Sequence, residues 1–275
     1  MIPNALTIAG IDPSGGAGIY ADLKAFSAQG AYGTGVVAAL TAQNTRAVAG
    51  IQGITPEFVR LQLDTLFDDV RIDAAKIGML GTAAVSRAVA DGLAARLGPD
   101  SLRHLVVDPV MIAKSGDSLL DRSAIDVLIE AILPLATVIT PNLPEAGVLL
   151  GRRPPDDLRE MRAAAEKLRR LLDDDGQRWV MVKGGHLSGD PVDLLYDGDR
   201  MIELPGQRIS TRNTHGTGCT LSAAIAALLP QRDDPLAALR EAKAYVTEAI
   251  RRSGELQVGH GHGPVHHFFG WWRNA

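Results

Sequence analysis

The sequence predicts an α/β protein built on a mainly parallel sheet, and three observations predict it. Short apolar runs alternate with longer amphipathic ones along almost the whole chain, which is a βαβ rhythm. The short runs are nearly continuous in Val, Ile and Ala, as strands covered on both faces should be. Glycine and polar residues gather just after them, beyond the carboxyl ends of the strands, where such a sheet binds ligands. No repeat, low-complexity tract or long linker divides the 275 residues, so one domain spanning 1–275 is expected.

In chain order the expected strands are "ALTIAG" (5–10), "GTGVVAAL" (33–40), "AAKIGM" (74–79), "HLVVDPV" (104–110), "ATVITPN" (136–142) and "WVMVKGG" (179–185). Between them, "TPEFVRLQLDTLFDDV" opens with Thr55, a proline at the first helical position and Glu57. It then repeats apolar residues at Phe58, Leu61, Leu63, Leu66 and Phe67, so it reads as an amphipathic helix. "LREMRAAAEKLRRLLDDDG" repeats that pattern and is expected to end at Gly176 as a C-cap. "PVDLLYDGDRMIEL" reads as two short strands around Asp-Gly, an antiparallel hairpin expected at the edge of the sheet.

Composition narrows the classes. A net charge of -4 leaves no basic excess for nucleic acid, and no segment reaches the ~20 apolar residues that span a bilayer. The start "MIPNALTIAG" lacks the pattern of an export signal, and the single cysteine, Cys219, rules out an intrachain disulfide. A soluble protein of the reducing cytoplasm is expected.

The loops carry the chemistry. "GTGC" entering "TLSAAIAALL" is either a glycine turn capping a packed helix or a loop that aims unpaired N–H groups and the helix dipole at an anion. Cys219 in that loop is either a small buried hydrophobe or, at a helix N-terminus, a thiol of lowered pKa available near neutral pH. "GIDPSGGAG" fits neither a dinucleotide fingerprint nor a P-loop. In "PNLPEA", Glu145 falls in the first turn of the next helix, where it can hold Mg²⁺ or simply favour the dipole. Lys183, ending its strand, is a point charge for a phosphate or a solvated lysine. His260, His262, His266 and His267 cluster near the carboxyl end, but no second ligand set has the spacing of a closed zinc site; a tail packed on the body is expected.

Taken together, "ALTIAGIDPSGGAGIYADLKAFSAQGAYG", "TAQNTR", "KIGML", "AKSGD", "ITPNLPEA", "KGGH" and "NTHGTGCTLSAAIA" resemble the bifunctional hydroxymethylpyrimidine/phosphomethylpyrimidine kinases of thiamine biosynthesis, in the ribokinase-like superfamily. The resemblance runs from about residue 4 to the carboxyl terminus, where "GHGHGPVHHF" also fits. It implies a three-layer α/β/α fold. It also implies transfer of the ATP γ-phosphoryl to 4-amino-5-hydroxymethyl-2-methylpyrimidine and then to its monophosphate. Carried over by motif, Gly10, Asp22 and Gln43 should bind the pyrimidine, with Met79 and Val110 against its ring. Asn142, Lys183 and Thr214 should lie along the ATP phosphates, with Glu145 and Asp108 at Mg²⁺. Gly216, Thr217, Gly218 and Cys219 should form the catalytic anion hole, Cys219 standing where most of the wider superfamily has an aspartate base. A homodimer is implied as well.

Two rivals remain on sequence. A pyridoxal kinase of the same superfamily would use the thiol toward an aldehyde, although "AGIDPSGGAGIYADLK" with Gln43 favours the pyrimidine. A non-catalytic pyrimidine sensor would have lost phosphate-side residues, yet Asn142, Glu145, Lys183 and the whole Gly-Thr-Gly-Cys loop are present.

Overall fold

The computed structural model describes residues 1–98, 101–111, 122–174 and 176–272, so the "AKSGD" run at 113–117 lies outside the described residues. The chain forms β1 (Asn4–Ile11), α1 (Gly18–Ala28), β2 (Tyr32–Gln43), β3 (Val48–Gly53), α2 (Pro56–Asp69), β4 (Ala74–Ile77), α3 (Ala83–Ala94) and β5 (His104–Val107). It continues with α4 (Arg122–Val127), β6 (Val138–Ile139), α5 (Leu143–Leu149), α6 (Leu158–Arg169), β7 (Trp179–Val182), β8 (Val192–Tyr196), β9 (Met201–Pro205), α7 (Thr217–Leu228) and α8 (Pro235–Arg251).

Among the described residues the strands make one nine-stranded sheet in the order β3-β2-β1-β4-β5-β6-β7-β8-β9. The six strands from β2 to β7 are parallel, while β3 at one edge and β8 with β9 at the other run antiparallel. Because side chains alternate across a strand, each central strand feeds two cores. Leu6, Ile8, Ala75, Ile77, Leu105, Val107, Val180 and Val182 pack under α2, α3, α5 and α6. Their neighbours Ala5, Ala74, Val106, Trp179 and Met181 pack under α1, α7 and α8. That is the expected three-layer α/β/α arrangement, and each large apolar side chain buried in it contributes about 1.5–3 kcal/mol.

The expected helix starts hold. Thr55 caps α2 by accepting from the Phe58 N–H, with Pro56 in the first turn. The predicted stripe is only partly buried, however: Leu63 faces the core beside Val59, which was not foreseen, Leu66 and Phe67 pack against it, and Phe58 and Leu61 are exposed. The hairpin around Asp-Gly is β8–β9, at the sheet edge as expected.

Two expectations are corrected, and one strand was not foreseen. The strand predicted at 136–142 is reduced to Val138 and Ile139, although the Thr137 and Thr140 N–H groups still donate to Leu105 and Val107 of β5. α6 ends at Arg169 rather than at Gly176. There Arg169 turns inward, donating to the Asp197 carbonyl, while Leu171 and Leu172 make tighter bonds back to Leu168 and Arg169. β3 was not foreseen, because "VAGIQG" lies almost wholly exposed and shows no buried alternation.

Candidate active site

A cavity of about 780 Å³ opens beyond the carboxyl ends of the parallel strands. The chain leaves β1 toward β2 on one side and reaches β4 on the other, and ligands favour such a switch in strand order. The sheet order also arranges the predicted residues. Gly10, Gln43 and Met79 come from β1, β2 and the end of β4, whereas Asp108, Asn142 and Lys183 follow β5, β6 and β7. Val110 lies just beyond Asp108 and lines the same cavity.

The β2 side is made of neutral groups. A Cβ at Gly10 would stand 2.8 Å from the Met79 methyl, so the missing side chain is what lets Met79 lie over the strand end. The Thr41 hydroxyl shares its one proton between the Ile11 carbonyl at 2.8 Å and Gln43 Oε1 at 3.2 Å. The Gln43 amide N–H₂ can then serve as a donor to a ligand.

Asp22 is revised. Its side chain is fully buried and is not part of the cavity wall. Asp22 Oδ2 accepts from Thr7 Oγ1 at 2.6 Å and from Lys76 Nζ at 2.8 Å, while Oδ1 has no hydrogen-bond partner among the described residues. Thr7, Asp22 and Lys76 all lie on the sheet face covered by α1 and α7, and it is Lys76 that lines the cavity. Burial opposes a charge on Lys76, but the Asp22 carboxylate outweighs it and raises the ammonium above the usual lysine range.

The β7 side is charged. Lys183 Nζ donates to Asp108 Oδ1 at 2.9 Å and stands 3.9 Å from Glu145 Oε2. Thr140 also donates to Asp108 Oδ1. Asn142 and Glu145 close a reciprocal capping box at the start of α5: Asn142 Oδ1 accepts from the Glu145 N–H, and Glu145 Oε2 accepts from the Asn142 N–H. The Asn142 side-chain oxygen is therefore already used by its own helix. Burial pushes the Glu145 carboxyl up to about 7, with Lys183 opposing and Asp108 adding to the rise. Lys183 itself is raised, because Asp108 and Glu145 overcome the burial that would lower it.

The glycine loop stands over this cluster. Gly216 caps α7 in the left-handed conformation at φ 73° and no side chain caps the helix; the Thr217 N–H turns back to the Thr214 carbonyl at 3.4 Å, which leaves the Gly218 and Cys219 N–H groups for a ligand among the described residues. A Cβ at Gly218 would stand 3.2 Å from Asp108 Oδ2 and 3.3 Å from Lys183 Nζ, so this glycine brings the helix end down onto the ion pair. Thr214 lines the cavity, and its carbonyl accepts from Thr217 Oγ1 at 2.9 Å.

The expected lowering of the Cys219 thiol is not found. Burial pushes it up to about 11; Lys76 acts in the other direction, and Asp22 and Asp108 add to the rise. Desolvation beside two carboxylates therefore favours the neutral thiol.

Three residues in the site were not assigned from sequence. Lys76 stands in the quoted "KIGML", but a lysine inside an apolar strand carries no sign of its buried partner. Asp12 and His215 stand in "GIDPSGG" and "NTHGTG", 203 residues apart, and meet at 2.7 Å through Oδ2 and Nε2. Beyond Lys183 the cavity continues past Pro191, Arg208, Ile209, Lys243, Thr247 and Ile250, a stretch that mixes apolar and basic side chains.

Comparison with known proteins agrees with this geometry. A family model described as phosphomethylpyrimidine kinase matches residues 12–266. The chain is 50% identical over 271 residues to a hydroxymethylpyrimidine/phosphomethylpyrimidine kinase of Rhizobium meliloti, covering 98% of each chain. Among solved structures it resembles a phosphomethylpyrimidine kinase of Clostridium difficile, with 38% identity, a TM-score of 0.77 and coverage of 90% of this chain and 99% of that one. It also resembles an ADP complex of Bacillus subtilis pyridoxal kinase, with 36% identity, a TM-score of 0.86 and coverage of 97% and 98%.

Proposed function

The chain belongs to the phosphomethylpyrimidine kinase family, and from that premise we propose how its cavity carries out the family's reaction. The protein is an ATP-dependent kinase that phosphorylates 4-amino-5-hydroxymethyl-2-methylpyrimidine and then its monophosphate, in thiamine biosynthesis. The observation that carries this reading is a neutral amide-and-methionine wall leading into a buried lysine and two carboxylates beneath an uncapped helix end.

We assign the pyrimidine to Gly10, Gln43, Met79 and Val110, with the Gln43 amide donating to a ring nitrogen and Lys76 presenting the charge that Asp22 holds from below. The nucleotide phosphates run along Thr214 and Asn142 to Lys183, which meets them as a point charge. Asp108 and Glu145 supply the hard oxygen donors that suit Mg²⁺, and Glu145 keeps Oε1 outside its capping bond. When bound, the ion neutralises charge on the phosphate oxygens.

In the first transfer a bond forms between the hydroxymethyl oxygen and the γ-phosphorus. The bond from that phosphorus to the bridging oxygen breaks, and ADP leaves. The Gly218 and Cys219 N–H groups at the start of α7 face the charge that spreads over the transferred oxygens. With its thiol near 11, Cys219 acts as a neutral hydrogen-bond partner that aims the acceptor hydroxyl, and the hydroxyl proton is lost late to solvent. In the second transfer the acceptor is a phosphate oxygen that needs no base.

A second reading, side activity on pyridoxal, is favoured by the structural likeness to a pyridoxal kinase and by the thiol at the acceptor. The test is kcat/KM for the pyrimidine and for pyridoxal with Mg-ATP. At least a tenfold preference for the pyrimidine is expected; equal or reversed values would make vitamin B6 the substrate. No helix among the described residues is long and apolar enough to cross a membrane, and we assign the enzyme to the cytoplasm, where ATP is available. We also propose a homodimer. The edge of β3, unpaired among the described residues and with Ile51 and the nearby Leu40 exposed, suits a second copy, and light scattering of the purified protein tests it.

A further inference from the structure

The histidine- and glycine-rich segment at 259–267 has no role in the chemistry above, yet its bonds reach both sides of the cavity. On the pyrimidine side it grips the turn that follows Gln43: the Gly261 N–H donates to Thr45 Oγ1 at 3.1 Å and the His262 N–H to the Thr45 carbonyl at 2.8 Å. The approach is too close for any other residue, since a Cβ at Gly261 would fall 2.0 Å from the Thr45 carbonyl oxygen. On the phosphate side the Gly263 carbonyl accepts from the His215 N–H at 3.0 Å, and His267 Nε2 meets Thr220 Oγ1 of α7 at 3.0 Å. The segment is anchored in turn to α8, where the His266 N–H donates to the Ala249 carbonyl and the Tyr245 hydroxyl to the His267 carbonyl.

His215 carries the link further. Its Nε2 meets Asp12 Oδ2, while Asp12 also accepts from the Ser14 N–H, the Ser14 hydroxyl and the Ala17 N–H. Asp12 thus shapes the loop after Gly10 and ties it to the residue before Gly216. The two loops touch along their backbones, for a Cβ at Gly216 would fall 1.7 Å from the Gly16 carbonyl oxygen.

We propose that the 259–267 segment, His215 and Asp12 form a positioning clamp that fixes the Gly216–Cys219 loop against the pyrimidine-side loop and the Gln43 turn. The inference rests on the kinase reading above. Each loop has bonds of its own without the clamp; what the clamp sets is their spacing, and so the distance and line between the acceptor oxygen and the γ-phosphorus. Misplacing reacting groups by about 1 Å is enough for a loss on the order of 100-fold.

The test uses the full-length enzyme with three variants and measures kcat, KM for each substrate and the rate at which N-ethylmaleimide alkylates Cys219, the chain's single thiol. His215→Leu keeps bulk but loses the bond to Asp12, and it should lower kcat about 30- to 100-fold per folded molecule with KM for Mg-ATP within about threefold. It should also speed alkylation several-fold as the loop loosens. His215→Gln, whose amide can donate to Asp12, should recover kcat to within about fivefold of the parent. Thr45→Val lies in a surface turn and should raise KM for the pyrimidine about five- to tenfold with little change in kcat.

Equal losses in the Leu and Gln variants would overturn the clamp, as would an unchanged kcat per folded molecule in His215→Leu. If His215→Leu does not fold, Thr45→Val decides, and an unchanged pyrimidine KM there rejects the proposal. If the parent enzyme prefers pyridoxal, the substrate reading fails while the same ratios, measured on pyridoxal, still judge the clamp.

Discussion

Toward β2 the cavity meets its ligand with a glycine, a methionine, one amide and the single Asp22-paired Lys76, whereas toward β7 it holds Lys183 within 4 Å of both Asp108 and Glu145 under a bare helix end. The first side recognises shape and a few hydrogen bonds, so its residues should change binding more than rate. The second concentrates charge with little solvent to screen it, so its residues should change rate far more than pyrimidine binding.

Lys183→Met is the strongest way to break that division. It leaves two buried carboxylates without their cation and takes a charge from the phosphates, so kcat should fall by about 10³-fold or more. Calorimetric affinity for the pyrimidine should stay within about threefold; a parallel loss of pyrimidine binding would mean that the two sides are not separate. Cys219→Ala comes next, with kcat down about 100-fold and ATP affinity unchanged, while Cys219→Ser keeps a hydrogen-bonding group and should retain more activity. Near-normal turnover by the alanine variant would remove the thiol from the reaction. Gln43→Ala should raise KM for the pyrimidine about tenfold, the worth of one good hydrogen bond, with kcat within about threefold. A fall in kcat alone would place Gln43 on the wrong side of the comparison.

The smallest expected effect is on stability. In the folded protein the Glu145 carboxyl lies near 7 instead of its ordinary 4.5, so between those values the folded state binds more protons than the unfolded one. Its contribution therefore falls as pH rises through that window. Thermal melts of the metal-free protein should drop by a few degrees over it, and Glu145→Gln should flatten the slope. Identical slopes in parent and variant would show that Glu145 titrates normally.

What the sequence made legible divides along physical lines. The parallel strands were readable because residues such as Val106 and Val107 are buried on opposite faces, which leaves an unbroken apolar run. The Gly216 loop was readable because its left-handed φ and close approach require glycine. β3 was not, since an exposed edge strand imposes no burial pattern. The partnership of Lys76 with Asp22 is likewise invisible, because residues 54 apart meet only when α1 packs on the sheet. Of the two readings of Cys219, the lowered thiol is opposed for a related reason: a helix N-terminus is a local signal, while the burial and carboxylates that act against it come from distant parts of the chain.

If one cavity performs two successive transfers, phosphorus NMR of a single reaction with Mg-ATP and the hydroxymethylpyrimidine should show both. A monophosphate signal should rise and then be replaced by the coupled pair of a pyrimidine diphosphate. A monophosphate that accumulates and stays, with ATP in excess, would contradict it.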